Sequence, residues 1–250
     1  MELTKNQAIK TLRDGASWHR GAHKWSLPTL QPDGTYAAGE WTPTVAPSIC
    51  EKGWHLTTQP ALWWSHEGNV AAYLAEYDGA TSAREGEDKI AVERCRLLRP
   101  LTKSELESCG IFIDGEHVVK TGTAYASGSA TVEAYDSATA YAYDSATAYA
   151  YDSATVRASG SATVRAYGSA TVRAYDSATV RAYDSAKTHT AGSAVCTAWN
   201  GTTLVLTRDG NGVIIDRRGA APKTYVKRAG LDGWRYADGV WSQRKAKAAT

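Results

Sequence analysis

From residue 120 to residue 199 the chain repeats an octad of the form S-A-T-V-R-A-Y-[DG], and a fixed period of this kind confines the fold to stacked, near-identical units. Asp or Gly followed by Ser recurs every eight residues, at 128, 136, 144, 152, 160, 168, 176, 184 and 192. These are turn-forming pairs. The six residues between them alternate small apolar with polar side chains, the two-residue period of a strand.

Two architectures can be assembled from such octads. In an antiparallel meander with two-residue hairpins, Tyr135 would lie opposite Ala138 and Ala134 opposite Thr139, so neither face could form a uniform core. In a parallel solenoid, equivalent positions stack in register: Ala, Val and Ala of every octad point inward, while Thr, Arg and Tyr point outward. The solenoid alone gives a continuous, dry, small-residue core.

Reading every sixteenth residue separates two faces. On one, the last strand position reads Tyr135, Tyr151, Tyr167, Tyr183, Trp199; on the other it reads Ser127, Tyr143, Ser159, Tyr175, Ala191. The unbroken aromatic column exists only at period sixteen. The expected fold is therefore mainly β: a two-sided parallel β-solenoid of about 16 residues per coil, with about five coils and a length of roughly 24 Å at about 4.8 Å per coil.

Composition changes on either side of the repeat, which predicts three regions. Residues 1–119 read as an α+β head, with helical spacing at Leu3, Ala8, Ile9 and Leu12, a second helix within "PALWWSHEGNVAAYLAEYDG", and a strand in "KIAVERCRLL". "LTKSELESCG" reads as a short helix with Thr102 and Glu105 in capping-box spacing. Residues 120–199 are the solenoid. Residues 200–250 read as a β cap, because the terminal coil of a solenoid is an unpaired edge that must be covered. The cap comprises "TTLVLTRDGNGVIIDRRG", a hairpin around Asp238-Gly239 and a basic tail.

Charge follows these regions: −4 over 1–119, zero over 120–199 and +6 over 200–250. The basic end offers a nucleic-acid contact. The aromatic surface is built from fourteen Tyr and nine Trp with a single Phe, side chains with a polar handle that suit interfaces. The four cysteines form no C-x-x-C pair, so reduced thiols are expected and no disulfide scaffold is indicated. With no signal-peptide run and no 18-residue apolar stretch, the chain reads as cytoplasmic and without a membrane partner.

The outward columns are the first candidate site. Beside the unbroken aromatic column run Glu133, Tyr149, Arg165, Arg181 and Thr197; the opposite face offers Tyr125, Tyr141, Arg157, Arg173 and His189. Tyr, Trp and Arg dominate interface hot spots and stack on bases or sugars. The candidate binding surface is therefore Tyr135, Tyr149, Tyr151, Arg165, Tyr167, Arg181, Tyr183 and Trp199. The competing reading is that stacked identical residues only stabilise the ladder. Threonine columns resemble those of β-solenoid antifreeze proteins, but each Thr here is followed on its face by Arg or Tyr, which breaks the flat surface. In the head, His19, His23, Cys50 and His55 are residue types that hold zinc, but their spacing matches no recognised knuckle, and no metal or cofactor is assigned.

The stretch "HKWSLPT…GEWTP…CEKGWHLTTQPALWW…AAYLAEYDG…DKIAVERCRLLRPL", residues 18 to 101, resembles an uncharacterised N-terminal domain of bacteriophage and bacterial proteins that is often followed by low-complexity repeats. Its best-matching pieces are Gly53-Trp54-His55, the acidic strand around Glu76, and Asp88-Lys89. The resemblance implies a phage or prophage setting, hence the host cytoplasm, and carries no known activity. The same stretch has a looser likeness to ADP-ribosyltransferase-type folds. That likeness implies ribose binding by His55, nicotinamide stacking on Trp63 or Tyr73, and a polarising carboxylate at Glu76 or Glu93. The leading expectation is a non-enzymatic binding protein with a protein partner, homo-oligomerisation remaining open. The alternatives are an ADP-ribosyltransferase-like enzyme in the head and a structural or self-assembling spacer.

Overall fold

The computed structural model describes residues 2–13, 24–49, 51–64, 70–84, 88–199, 201–206, 213–217, 219, 223–226, 234–237 and 240–243. The chain divides into two compact units, Met1–Ile111 and Phe112–Thr250. No helix among the described residues is long and apolar enough to cross a membrane.

The first unit is built on strands β1 (Gln7–Arg13), β2 (Thr29–Leu30), β3 (Tyr36–Ala37), β4 (Trp54–Thr57), β5 (Val70–Ala83) and β6 (Lys89–Pro100). Strands β1, β4, β6 and β5 close into a barrel, and β2 pairs with β3. Two expected helices are strands instead. Over 3–12, Ala8, Lys10 and Leu12 share the side that meets Ala75, Tyr73 and Ala71, while Ile9 is buried on the other side. A strand buried on both faces loses its alternation and mimics helical spacing. The same holds for β5, where Ala72, Tyr73, Leu74 and Ala75 are all buried; upstream, among the described residues of the segment, Pro60–Trp63 forms a single 3-10 turn. The one α-helix among the described residues of this unit, α1 (Lys103–Ser108), carries the expected capping box, and Arg99 grips Glu105 through both carboxylate oxygens at 2.7 and 2.8 Å. The predicted strand over "KIAVERCRLL" is β6.

The second unit is a two-sided parallel β-solenoid of about six turns with about 16 residues per turn. Face 1 runs through Glu116–Val119, Thr131–Ala134, Thr147–Ala150, Thr163–Ala166, Thr179–Ala182, Val195–Ala198 and Val213–Asp216, all parallel, and ends on the antiparallel Lys223–Val226. Face 2 runs through Thr123–Ala126, Thr139–Ala142, Thr155–Ala158, Thr171–Ala174, Lys187–Thr190 and Thr203–Leu206, and ends on the antiparallel hairpin Trp234–Ala237 and Val240–Gln243. The ladder is longer than the octads predict because Glu116–Val119, Val213–Asp216 and Thr203–Leu206 join it without the octad sequence. The hairpin's strands are paired as expected; Asp238 and Gly239 lie outside the described residues.

Each regular strand is four residues long rather than six, since the flanking Ala and Tyr belong to the corner: Ala138 N–H donates to Tyr135 O and Ala154 N–H to Tyr151 O. The first corner residue has positive φ throughout, from 50° at Asp136 to 66° at Gly160. Asp, which tolerates the left-handed region through its short polar side chain, and Gly, which has no Cβ, are the residues that fit. Serines stitch successive corners: Ser145, Ser153, Ser161 and Ser169 donate to the carbonyls of Gly128, Asp136, Asp144 and Asp152. Inside, Ala130, Val132 and Ala134 and their equivalents are fully buried and form one continuous core.

Candidate binding face

The register places identical positions directly over one another, Thr131 on Thr147, Glu133 on Tyr149 and Ala134 on Ala150, and onward along the ladder. With inward positions filled by Ala and Val, every long side chain of the octad is driven outward. On face 1 this builds a continuous stack: Tyr135–Tyr151, Tyr151–Tyr167, Tyr167–Tyr183 and Tyr183–Trp199 have ring centroids 4.6, 5.2, 4.9 and 4.7 Å apart and nearly parallel planes. That spacing is the strand spacing itself, so the rings are stacked by the backbone and held at no further cost in register.

The column beside the stack changes character along the axis. At its start, Tyr135 donates its hydroxyl to Glu133 at 2.8 Å, and this hydrogen bond to the carboxylate pushes the Tyr135 phenol up to about 12. Next, Arg165 lies 5.4 Å from the Tyr149 ring centroid as a cation–π pair. Arg181 follows, exposed, in register with Arg165. Among the described residues no carboxylate ion-pairs with Arg165 or Arg181, nor with Arg157 or Arg173 on face 2. All eight residues expected to form the binding surface thus lie on one face.

Face 2 is less regular. Tyr125 stacks on Tyr141 at 4.8 Å and Arg157 covers Tyr141 at 5.5 Å. Tyr143 tilts onto Tyr141 and is only 9% exposed, with burial pushing its phenol up to about 12, whereas Tyr175 is 42% exposed. Two serines and an alanine interrupt the column here, so its rings do not run together.

The column positions continue into rungs that carry no octad. Val119 O accepts from Tyr135 N–H, which puts Lys120 in the place of a tyrosine before the stack; Arg217 N–H bonds Ala198 O, which puts Arg217 in that place beyond Trp199. Only the observed pairing shows this, because the offset from Glu116 to Thr131 is fifteen residues, not sixteen.

The head residues considered for catalysis are dispersed among structural partners. Glu76 on β5 is ion-paired with Arg96, whose guanidinium lies 5.0 Å from the Trp41 ring centroid. Glu93 on β6 accepts the Ala80 N–H at 2.8 Å, beside Gly79, whose φ is 83°. His55 lies on β4 opposite Ala91. Trp63 donates to Asp88 and stands under Lys89, and Tyr73 is buried in the barrel. His19, His23 and Cys50 lie outside the described residues. Cys95, Cys109 and Cys196 are free thiols.

One feature of the head has no sequence signal. Lys10 points into the barrel, donates to His55 O at 3.1 Å and lies 5.1 Å from the Trp25 ring centroid. Burial lowers its ammonium to about 8, and burial raises the neighbouring Cys95 thiol to about 12. Comparison of the chain with protein-family models, with curated proteins and with solved structures gives no match.

Proposed function

We propose that this chain is a non-enzymatic binding protein that engages a protein partner through face 1 of its solenoid, in the phage or prophage setting implied by the resemblance of its head. The observation that carries the reading is the unbroken stack from Tyr135 to Trp199, flanked by Arg165 and Arg181, which lack a carboxylate partner among the described residues. Aromatic rings already stacked, and an arginine held over a ring as Arg165 is over Tyr149, lose little rotamer entropy on docking, which is what a hot spot requires.

The test is capture of a partner from host lysate by the wild-type chain and by the variant Tyr151→Ala/Tyr167→Ala/Arg165→Glu. Capture is expected to fall by tenfold or more in the variant, about the loss of one hot spot. Undiminished capture by a variant with native circular dichroism would reduce the repeat to a scaffold.

A further inference from the structure

Face 1 is self-complementary in the order of its charges. Along the column beside the aromatic stack, the paired rungs present Val118, Glu133, Tyr149, Arg165, Arg181 and Thr197. Along the stack itself they present Lys120, Tyr135, Tyr151, Tyr167, Tyr183 and Trp199. Consider a two-fold axis in the plane of the face, parallel to the strands, passing between Thr147–Ala150 and Thr163–Ala166. It reverses the order of the rungs while keeping each column over itself.

Under that operation Glu133 meets Arg181 of a second copy, Tyr149 meets Arg165, Lys120 meets Trp199, and the 62%-exposed Val118 meets Thr197. Tyr151 lies against Tyr167 and Tyr135 against Tyr183. An axis along the solenoid over the first column would set Arg165 on Arg165, Arg181 on Arg181 and Glu133 on Glu133, and one midway between the two columns would set Glu133 on Tyr135, Arg165 on Tyr167 and Arg181 on Tyr183, with no ion pair. Moving the axis by half a rung, onto the Arg165 rung, sets Arg165 on itself and leaves Glu133 over Thr197. Centring the axis on the Tyr149 rung sets Glu133 on Arg165 but leaves Arg181 over Val118, so only the first axis pairs Glu133 with a guanidinium and also sets the other arginine and Lys120 against aromatic rings; Glu116 and Arg217, at the two ends of the face, lie outside these pairs. On face 2 the parallel strands present no outward carboxylate among the described residues, and the aromatic column is interrupted.

We propose that face 1 docks on face 1 of a second copy of this chain about that axis, forming an isologous dimer in which each pair of contacts occurs twice. This rests on the reading of face 1 as a binding surface and names its occupant. The patch measures roughly 16 by 29 Å from the rise per residue and the strand spacing, so about 900 Å² would be buried over both copies, below the range of stable interfaces and within that of weak, transient association.

Sedimentation velocity of the full chain across the micromolar range tests it. The wild-type chain is expected to dimerise, and the dimer to weaken as ionic strength rises from about 0.05 to about 0.5 M. Glu133→Arg and Arg181→Glu, each of which sets like charges against each other, are expected to weaken self-association by about tenfold or more. The double variant Glu133→Arg/Arg181→Glu restores the pairing with its sign reversed, and is expected to regain the wild-type dimer. Circular dichroism and the melting midpoint of all four proteins establish that the fold is unchanged.

A wild-type chain that stays monomeric, or a dimer indifferent to both single swaps, would overturn the proposal. A monomer that nonetheless captures another protein or a single-stranded oligonucleotide, and loses it in the Tyr151→Ala/Tyr167→Ala/Arg165→Glu variant, overturns self-docking while the face remains a binding surface. A monomer with no such capture removes both readings.

Discussion

Lys10 carries an ammonium into the barrel interior, where the carbonyl of His55 and the face of Trp25 replace only part of its hydration. Its depressed value of about 8 fixes the sign of its effect. Below about pH 8 both folded and unfolded chains hold the proton and the folded state bears the full desolvation cost. Between about 8 and 10.5 only the unfolded chain stays protonated, so the stability of the barrel rises with pH. Lys10→Met is expected to flatten that rise and to stabilise the head at pH 7 by up to about 3 kcal/mol, the size of the shift. Urea melts at pH 7 and pH 9 check this, the difference between the two proteins removing the opposing effect of the Cys95 thiol. The sequence offers Lys10 as one more polar residue in "NQAIKTLRD". Its inward position follows from pairing with Tyr73 on a strand sixty residues away, which local spacing does not contain.

The corner and the strand are the elements that make the solenoid; both were legible in the octad, although the strand is four residues long and not the six between turn pairs. Gly168, at φ 62°, shows how tightly the corner is set: an added Cβ would lie 3.2 Å from the backbone N, Cα and O of Asp152, and its N–H donates to Asp184 at 3.1 Å. Gly168→Ala is expected to cost the solenoid about 1–2 kcal/mol, the penalty for a Cβ in the left-handed region plus the close approach. The core is equally confined. Ala166 is fully buried between Ala150 and Ala182 on neighbouring rungs, so Ala166→Leu is expected to destabilise by about 1–3 kcal/mol through overpacking. Thermal melts followed in the far ultraviolet would measure both, and unchanged midpoints would mean that the corner and core relax more easily than their geometry suggests.

At the scale of the whole ladder, the question is where growth stops. At the C-terminal end of both sheets the parallel ladder gives way to antiparallel strands, Lys223–Val226 on face 1 and the paired Trp234–Ala237 and Val240–Gln243 on face 2. Association through face 1 is isologous and consumes the face on both copies. The assembly is therefore expected to stop at two chains, with no species beyond the dimer in sedimentation at the highest concentration reached; a ladder of larger species would indicate a heterologous contact.

By itself the sequence determined the corners, the inward and outward sides of each strand, the sixteen-residue turn and the membership of the aromatic column. Each follows from a short-range rule repeated many times: positive φ at Asp or Gly, a two-residue period, identical neighbours in register. The tertiary structure decided the rest. It made strands of segments whose burial on both faces imitates a helix and placed Lys10 beside Cys95 inside the barrel. It also extended the ladder through Glu116–Val119 and Val213–Asp216, which pair because the neighbouring rung offers an edge. These outcomes depend on contacts between residues far apart in the chain, and no local period records them.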